Sequence, residues 1–418
     1  MATSVQDDQN MLESIQKIVQ EALRKLGYSD EYYELLKVPM MVLTVRIPVR
    51  MDDGTTRVFT AYRARHNDAA GPTSGGVRFH PKVTEAQIMA MSIWTGMKYG
   101  MLDLPFGGAS GGVVCDPRGM SFGELERLSR GYVRAISRFV EPHEDILTPS
   151  ILTNSQTMAW MADEYSRIRA SGGRMSVTGK PLVLGGTRGR ETAVPKGGAI
   201  LLEEAAKRQG LSLKGARVII QGFEHAGSDL ARIMEEAGAI VVGISDPYGA
   251  LYNPDGLDIG YLLDNRDSFG AVTNLFRNTI PAQELLLKPC DILVPAVAKH
   301  QIHAGNARKI QAKIVLEGGS NLIDEEGLRI LAERGVLVVP DILALSGGSV
   351  LSYIEWMQNR QGWQWTEEEV EAKMREILAS AFQQVCEMAQ SRNADMRLAA
   401  HMTGLRKYAN AMHLRGWV

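Results

Sequence analysis

Apolar positions recur at helical spacing over residues 10–26, where Met11, Leu12, Ile15, Ile18, Val19 and Leu23 fall on one stripe. Extended segments follow at 40–47 and 59–65. Two helices are then announced by their first turns: Thr84 with Gln87 opens one, and Ser121 with Glu124 opens another that runs to about residue 140. Between them, Leu104-Pro105-Phe106-Gly107-Gly108 reads as a glycine-rich turn. This first region is mixed strands and helices. From about Leu182 the texture changes. Pro195 sits where it can begin a helix, and residues 216–223 form the largely apolar run of a strand buried on both faces. A helix from Ala226 and a strand at 240–246 follow, with further buried strands at 291–296, 313–317 and 336–339. Strands alternating with helices predict a doubly wound parallel sheet. After Ser346 the chain turns helical, and Thr366 caps a long helix to about residue 391.

Composition narrows the function classes. The 418 residues suggest two or three domains. A formal net charge of −2, without a long basic run, argues against nucleic acid as a partner. No apolar stretch is long enough to span a bilayer. The charged N-terminal segment is unlike a signal peptide, and a cytoplasmic location is expected. Three cysteines, Cys115, Cys290 and Cys386, have no metal-like spacing and read as reduced thiols. Many of the 42 glycines come in pairs, such as Gly75-Gly76, Gly107-Gly108, Gly111-Gly112 and Gly347-Gly348. Such pairs permit close approach of backbone to backbone or ligand, or simply make turns.

Several blocks carry a resemblance. Gly75-Gly76-Val77-Arg78-Phe79-His80-Pro81, Cys115-Asp116-Pro117-Arg118, Thr178-Gly179-Lys180-Pro181, Ser352-Tyr353-Ile354-Glu355-Trp356 and Arg415-Gly416-Trp417 occur in an order that resembles the glutamate dehydrogenases. The likeness runs over nearly the whole chain. It implies oxidative deamination of glutamate to 2-oxoglutarate, with hydride passing to NAD or NADP. That chemistry needs cations for the substrate carboxylates, a lysine of lowered pKa and a proton-shuttling carboxylate.

At the positions the resemblance assigns to these groups, the chain departs from the family. Ser74 stands for the substrate lysine, Ser110 for the catalytic lysine within Gly107-Gly108-Ala109-Ser110-Gly111-Gly112, and Ser150 for the aspartate. Lys98, resembling a second carboxylate-binding lysine, and Ser352, resembling a substrate hydroxyl contact, survive. A serine hydroxyl carries no charge and does not titrate near neutrality, so it replaces neither lysine.

The nucleotide loop departs as well. Its fingerprint would begin at Gly222 and end at Gly227, but the second glycine is Glu224. That glycine lets a phosphate approach bare backbone, and a carboxylate in low dielectric would repel it by several kcal/mol, to order of magnitude. Val194 stands where the family usually carries a threonine beside the nicotinamide, Gly319-Ser320-Asn321 replaces an Ala-Asn-Gly segment, and Leu345 replaces a polar residue that is usually asparagine. Asp246 suits a ribose hydroxyl or, as the favoured reading, a turn cap.

The expectation is an α/β chain. Residues 1–185 form a mixed substrate-type and oligomerisation domain to which the helices of 346–418 return. Residues 186–345 form a Rossmann-like domain with a degenerate nucleotide loop. No cofactor and no metal are expected, although the family uses NAD or NADP. The chain reads as a non-catalytic regulatory subunit of a hexameric hetero-oligomer. Its partner would be a catalytic glutamate dehydrogenase paralogue, and its effector a hydrophobic amino acid such as leucine. Arg130 and Asp163 are candidates for the effector's carboxylate and ammonium, or an ordinary surface ion pair. An active NAD(P)-dependent amino-acid dehydrogenase with unusual site residues, and a purely structural member of an assembly, are the other readings.

Overall fold

The computed structural model describes residues 2–138, 144–169, 173–268, 270–297 and 301–418. The chain divides into two compact units. The first comprises Met1–Arg190, Ser349–Ala372 and His401–Val418, and the second Glu191–Gly348 and Lys373–Ala400. All of 346–418 was expected with the first domain. Instead 373–400 packs on the second unit, where Arg375 pairs with Glu203 and Leu378 lies against Gly197.

The first unit is built on a five-stranded sheet. Its strands are β1 (Met41–Arg50), β2 (Thr56–Asn67), β3 (Thr73–Phe79), β4 (Gly107–Val113) and β5 (Asp145–Pro149), in the order β1-β2-β4-β3-β5. β2 runs antiparallel to β1 and β4, while β3 runs parallel to β4 and β5. The second unit carries β6 (Arg217–Gln221), β7 (Ile240–Asp246), β8 (Gly249–Tyr252), β9 (Ile292–Pro295), β10 (Ile314–Leu316) and β11 (Leu337–Val339). Their order is β11-β10-β9-β6-β7-β8, parallel except for β8. This is a doubly wound sheet that reverses direction at β6, the strand leading into the nucleotide-type loop.

The expected helix starts hold. Ser121 Oγ accepts from Glu124 N at 3.2 Å while Glu124 Oε2 accepts from Ser121 N at 3.0 Å, a reciprocal cap on Phe122–Ile136. The expected end of that helix near residue 140 lies outside the described residues. Thr366 and Glu369 cap in the same way, and Thr84 Oγ1 accepts from Gln87 N at 3.2 Å. Pro195 is the third residue of Ala193–Arg208 rather than its first, still within the turn whose N–H groups need no intrahelical partner.

A second expectation fails. The glycine-rich turn expected at 104–108 does not include its glycines: Gly107 and Gly108 open β4, whose seven residues are all buried. Glycine is a poor strand former; tertiary context overrides propensity here. A Cβ at Gly75 would sit 1.7 Å from Ala109 O, and one at Gly107 2.0 Å from Asn67 O. At Gly108 it would lie 2.2 Å from Ser92 O and 2.3 Å from Gly96 N, both on the helix Glu85–Met101. The same helix meets Met396–Leu414 through Gly100, whose Cβ would fall 2.3 Å from Gly404 O.

Gly108→Ala should therefore destabilise the first unit by about 3 kcal/mol, whereas Gly119→Ala, with open space around its Cβ, should be close to neutral. All six tryptophans (Trp94, Trp160, Trp356, Trp363, Trp365 and Trp417) lie in that unit. Their fluorescence during denaturant unfolding reads the difference.

A pH dependence follows from His66. It is fully buried, its Nε2 donates to Leu36 O at 2.8 Å, and Nδ1 has no hydrogen-bond partner. Burial pulls its pKa down from 6.5 to about 4, more than the Leu36 hydrogen bond restores. The ring is neutral when folded, so its contribution is present above pH 6.5 and is lost as pH falls toward 4. Between pH 7 and 5 the unit should lose about 2 kcal/mol through this group. In His66→Gln, which keeps a donor for Leu36 O, that part of the acid sensitivity should disappear from the same fluorescence titration.

Candidate functional site

The three serines share one face of the first sheet. In register, Ser74 of β3 stands beside Gly108 of β4, and Gly108 faces the helix Glu85–Met101. Ser110 is two residues further along β4 and so points the same way. Gly76 is two residues beyond Ser74, and a Cβ there would meet Ser150 Cβ at 2.7 Å. Ser150 thus lies over the bare backbone of β3. The fixed strand register brings together the positions that the resemblance assigned to substrate binding, proton abstraction and proton shuttling.

The surrounding groups are specific. Ser74 is fully buried, and its Oγ is 2.9 Å from Tyr99 Oη. Burial raises the Tyr99 pKa against the Ser74 hydrogen bond. Lys98, half-buried, sits in the last turn of the same helix. Ser352 Oγ accepts from Arg190 Nη1 at 2.7 Å. Burial pushes the Arg190 guanidinium below its ordinary value against the pull of Glu355 and Tyr99. Arg190 and Tyr99 escaped the sequence reading. Tyr99 adjoins Lys98, but neighbouring helix positions point about 100° apart, so spacing alone did not tie it to Ser74.

The retained blocks turn out to hold each other. Glu355 is fully buried and accepts from Lys180 Nζ at 2.8 Å and from Gly179 N at 2.9 Å. Below the sheet, Arg63 Nε donates to Asp145 Oδ2 at 2.8 Å, and Arg63 Nη1 donates to Gly75 O at 3.1 Å. Removing one partner of a buried pair strands the other charge. These residues are therefore scaffold, whatever becomes of the chemistry above them. Arg130 and Asp163 do meet, with Nη1 to Oδ2 at 2.6 Å, and Arg130 also pairs with Glu126 and Glu164.

In the second unit the loop after β6 keeps its frame. Gly222 has φ of +104°, and a Cβ at Gly227 would lie 1.7 Å from Gly222 O, so both glycines are obligatory for strand–helix packing. Glu224 is the exposed N-cap of His225–Glu236 and makes no side-chain capping bond. Its exposure makes the repulsion of a phosphate smaller than a low-dielectric site would give. Asp246 accepts from Tyr248 N at 2.9 Å, Val272 N at 2.8 Å and Thr273 N at 2.7 Å, and also from the Thr273 hydroxyl. It is a turn cap, as favoured, with little capacity left for a ribose. Burial raises its pKa, but the Thr273 hydroxyl and these N–H groups outweigh it, and the net shift is downward. Val194 and Leu345 are half-buried and Ser320 is exposed. The frame for a dinucleotide is present, but Glu224 stands at the phosphate approach, so the residues do not fit the group well.

Comparison with known proteins settles the family. The profile of the Glutamate/Leucine/Phenylalanine/Valine dehydrogenases matches residues 185–416, and that of their dimerisation domain matches 39–167. This chain belongs to the Glu/Leu/Phe/Val dehydrogenase family. It is 59% identical over 409 residues to the catabolic NAD-specific glutamate dehydrogenase RocG of Bacillus subtilis, covering 98% of this chain and 96% of that one. It is 58% identical over 416 residues to the same organism's cryptic catabolic NAD-specific glutamate dehydrogenase GudB, covering 99% and 97%. Among solved structures, it resembles the hetero-hexameric glutamate dehydrogenase of Thermus thermophilus in its Leu-bound form. The identity is 36%, the coverage 97% of each chain and the TM-score 0.89. The Bacillus relatives are named as catalytic enzymes, so the likeness to a regulatory subunit does not come from them. Among the described residues, no helix is long and apolar enough to cross a membrane, and no cluster of His, Cys, Asp or Glu is placed to hold a metal ion.

Glu224→Gly should tighten NAD binding by about tenfold, roughly 1.4 kcal/mol, in a calorimetric titration. Unchanged affinity would show that Glu224 does not obstruct the loop.

Proposed function

We propose that this member of the glutamate dehydrogenase family is a non-catalytic regulatory subunit. It assembles with a catalytic paralogue, in a hexamer-type ring, and makes oxidative deamination of glutamate responsive to a hydrophobic amino acid, leucine first. The observation that carries the reading is the placement of Ser74, Ser110 and Ser150 on one face of a sheet whose central strands β3 and β4 are buried. Three hydroxyls stand where the reaction needs two lysines and a carboxylate, while the ion pairs and glycine contacts that build the scaffold persist. A silent subunit still shifts a shared equilibrium when a ligand binds its two states unequally. The Thermus relative, a hetero-hexamer with leucine bound, supports this kind of assembly.

A second reading is a working NAD-dependent amino-acid dehydrogenase with unusual site residues. The full-length similarity to NAD-specific enzymes favours it, and those names weigh toward it more than toward a regulatory role. The three serines and Glu224 weigh against it.

The test mixes this chain with a catalytic paralogue from the same source and follows glutamate oxidation across a leucine titration, with native mass spectrometry of the mixture. The expected outcome is a mixed oligomer whose rate changes several-fold with leucine. Absence of a mixed oligomer together with an unaltered leucine response would sink the regulatory reading.

A further inference from the structure

Arg130 and Asp163 already satisfy each other, and an amino acid bound between them would first have to break that pair. A different place offers the same two charges free to act. The helices Ala2–Leu26 and Asp30–Leu36 meet at Gly27, whose φ of +87° reverses the chain, with Gly27 N and Tyr28 N both donating to Leu23 O. Beside this corner opens a cavity of about 350 Å³, at the small end of the range for ligand pockets.

Its lining is mixed in a defined way. Lys17, Glu21 and Arg24 follow at steps of four and three residues along the first helix, so they share one face. Asp30 enters from the first turn of the second helix. Among the described residues, no ion pair or side-chain hydrogen bond ties up any of these four. The half-buried rings of Tyr28 and Tyr33, over the buried Leu23, complete the lining with apolar surface. Two cations and two carboxylates cancel. A phosphorylated ligand would meet both acids, and a polyamine both bases. An α-amino acid matches the set: its carboxylate faces Lys17 and Arg24, its ammonium Glu21 and Asp30, and an apolar side chain covers the rings of Tyr28 and Tyr33.

We infer that this cavity between the first two helices is a binding site for a zwitterionic α-amino acid with an apolar side chain. The inference takes its regulatory meaning from the function proposed above. A route to the serine-lined face exists within the same unit. The first helix packs against Glu85–Met101, which carries Lys98 and Tyr99, and Tyr28 Oη donates to Asn410 Oδ1 at 2.8 Å on Met396–Leu414.

The experiment is calorimetric titration of the full chain with leucine and phenylalanine, and with N-acetyl-leucine and leucinamide, which lack the ammonium and the carboxylate respectively. Saturable binding of a free amino acid is expected, at least tenfold weaker for either blocked analogue. Arg24→Gln and Asp30→Asn should each weaken it tenfold or more, with circular dichroism confirming the fold, and Arg130→Gln should change it less than twofold. Absence of saturable binding, or loss on Arg130→Gln with Arg24→Gln unaffected, overturns the site. Binding that obeys the charge pattern without altering a paralogue's activity upholds the site and removes the regulatory reading. A leucine-responsive mixed oligomer without binding at this cavity does the reverse.

Discussion

Backbone-on-backbone contact through glycine is the constraint on which the first unit depends. β3 approaches β4 so closely at Gly75 that a single methyl would overlap the Ala109 carbonyl, and a methyl at Gly108 of β4 would overlap Ser92 O and Gly96 N of the helix Glu85–Met101. Interiors are packed too densely to absorb such an overlap. The glycines therefore fix the spacing of three elements, and that spacing decides where residues 74, 110 and 150 stand. Tyr408 reinforces the same junction by donating to Gly96 O at 2.9 Å and Phe106 O at 2.7 Å.

This dependence lets scaffold and site chemistry vary separately. Residues 74 and 110 are side chains projecting from the sheet face, whereas the strand register is held by backbone pairing. The groups that hold the sheet are buried pairs, Arg63 with Asp145 and Lys180 with Glu355, and removing one member leaves an uncompensated charge in the interior. The second unit shows the same separation. Gly222 and Gly227 persist because strand and helix touch there. Position 224 caps the helix at the surface and tolerates a glutamate.

Much of this was legible in the sequence. The apolar runs gave β6, β7, β9, β10 and β11 to within two residues at either end, and the paired Ser–Glu and Thr–Glu signals gave the helix starts. β3, β4 and β5 were not legible as strands. Gly107 to Gly112 has the composition of a turn, and only the pairing of β4 with β2 and β3 makes it extended. β8 is a four-residue strand paired antiparallel at the sheet edge, too short to show a pattern. At the candidate site, the substituted positions could be read from motif order, whereas Tyr99 and Arg190 could not. Their roles come from contacts between residues far apart in the chain: Tyr99 with Ser74, and Arg190 with Ser352. The return of 373–400 to the second unit was also hidden, since an amphipathic helix does not announce which sheet it covers.

The central claim is that a glutamate dehydrogenase scaffold here carries no working acid–base chemistry. Formation of NADH by the purified chain on its own, with saturating glutamate and NAD, tests it most directly. The account predicts no glutamate-dependent rate above background. A rate of about 1 per second or faster, within the ordinary range of enzymes, would contradict it.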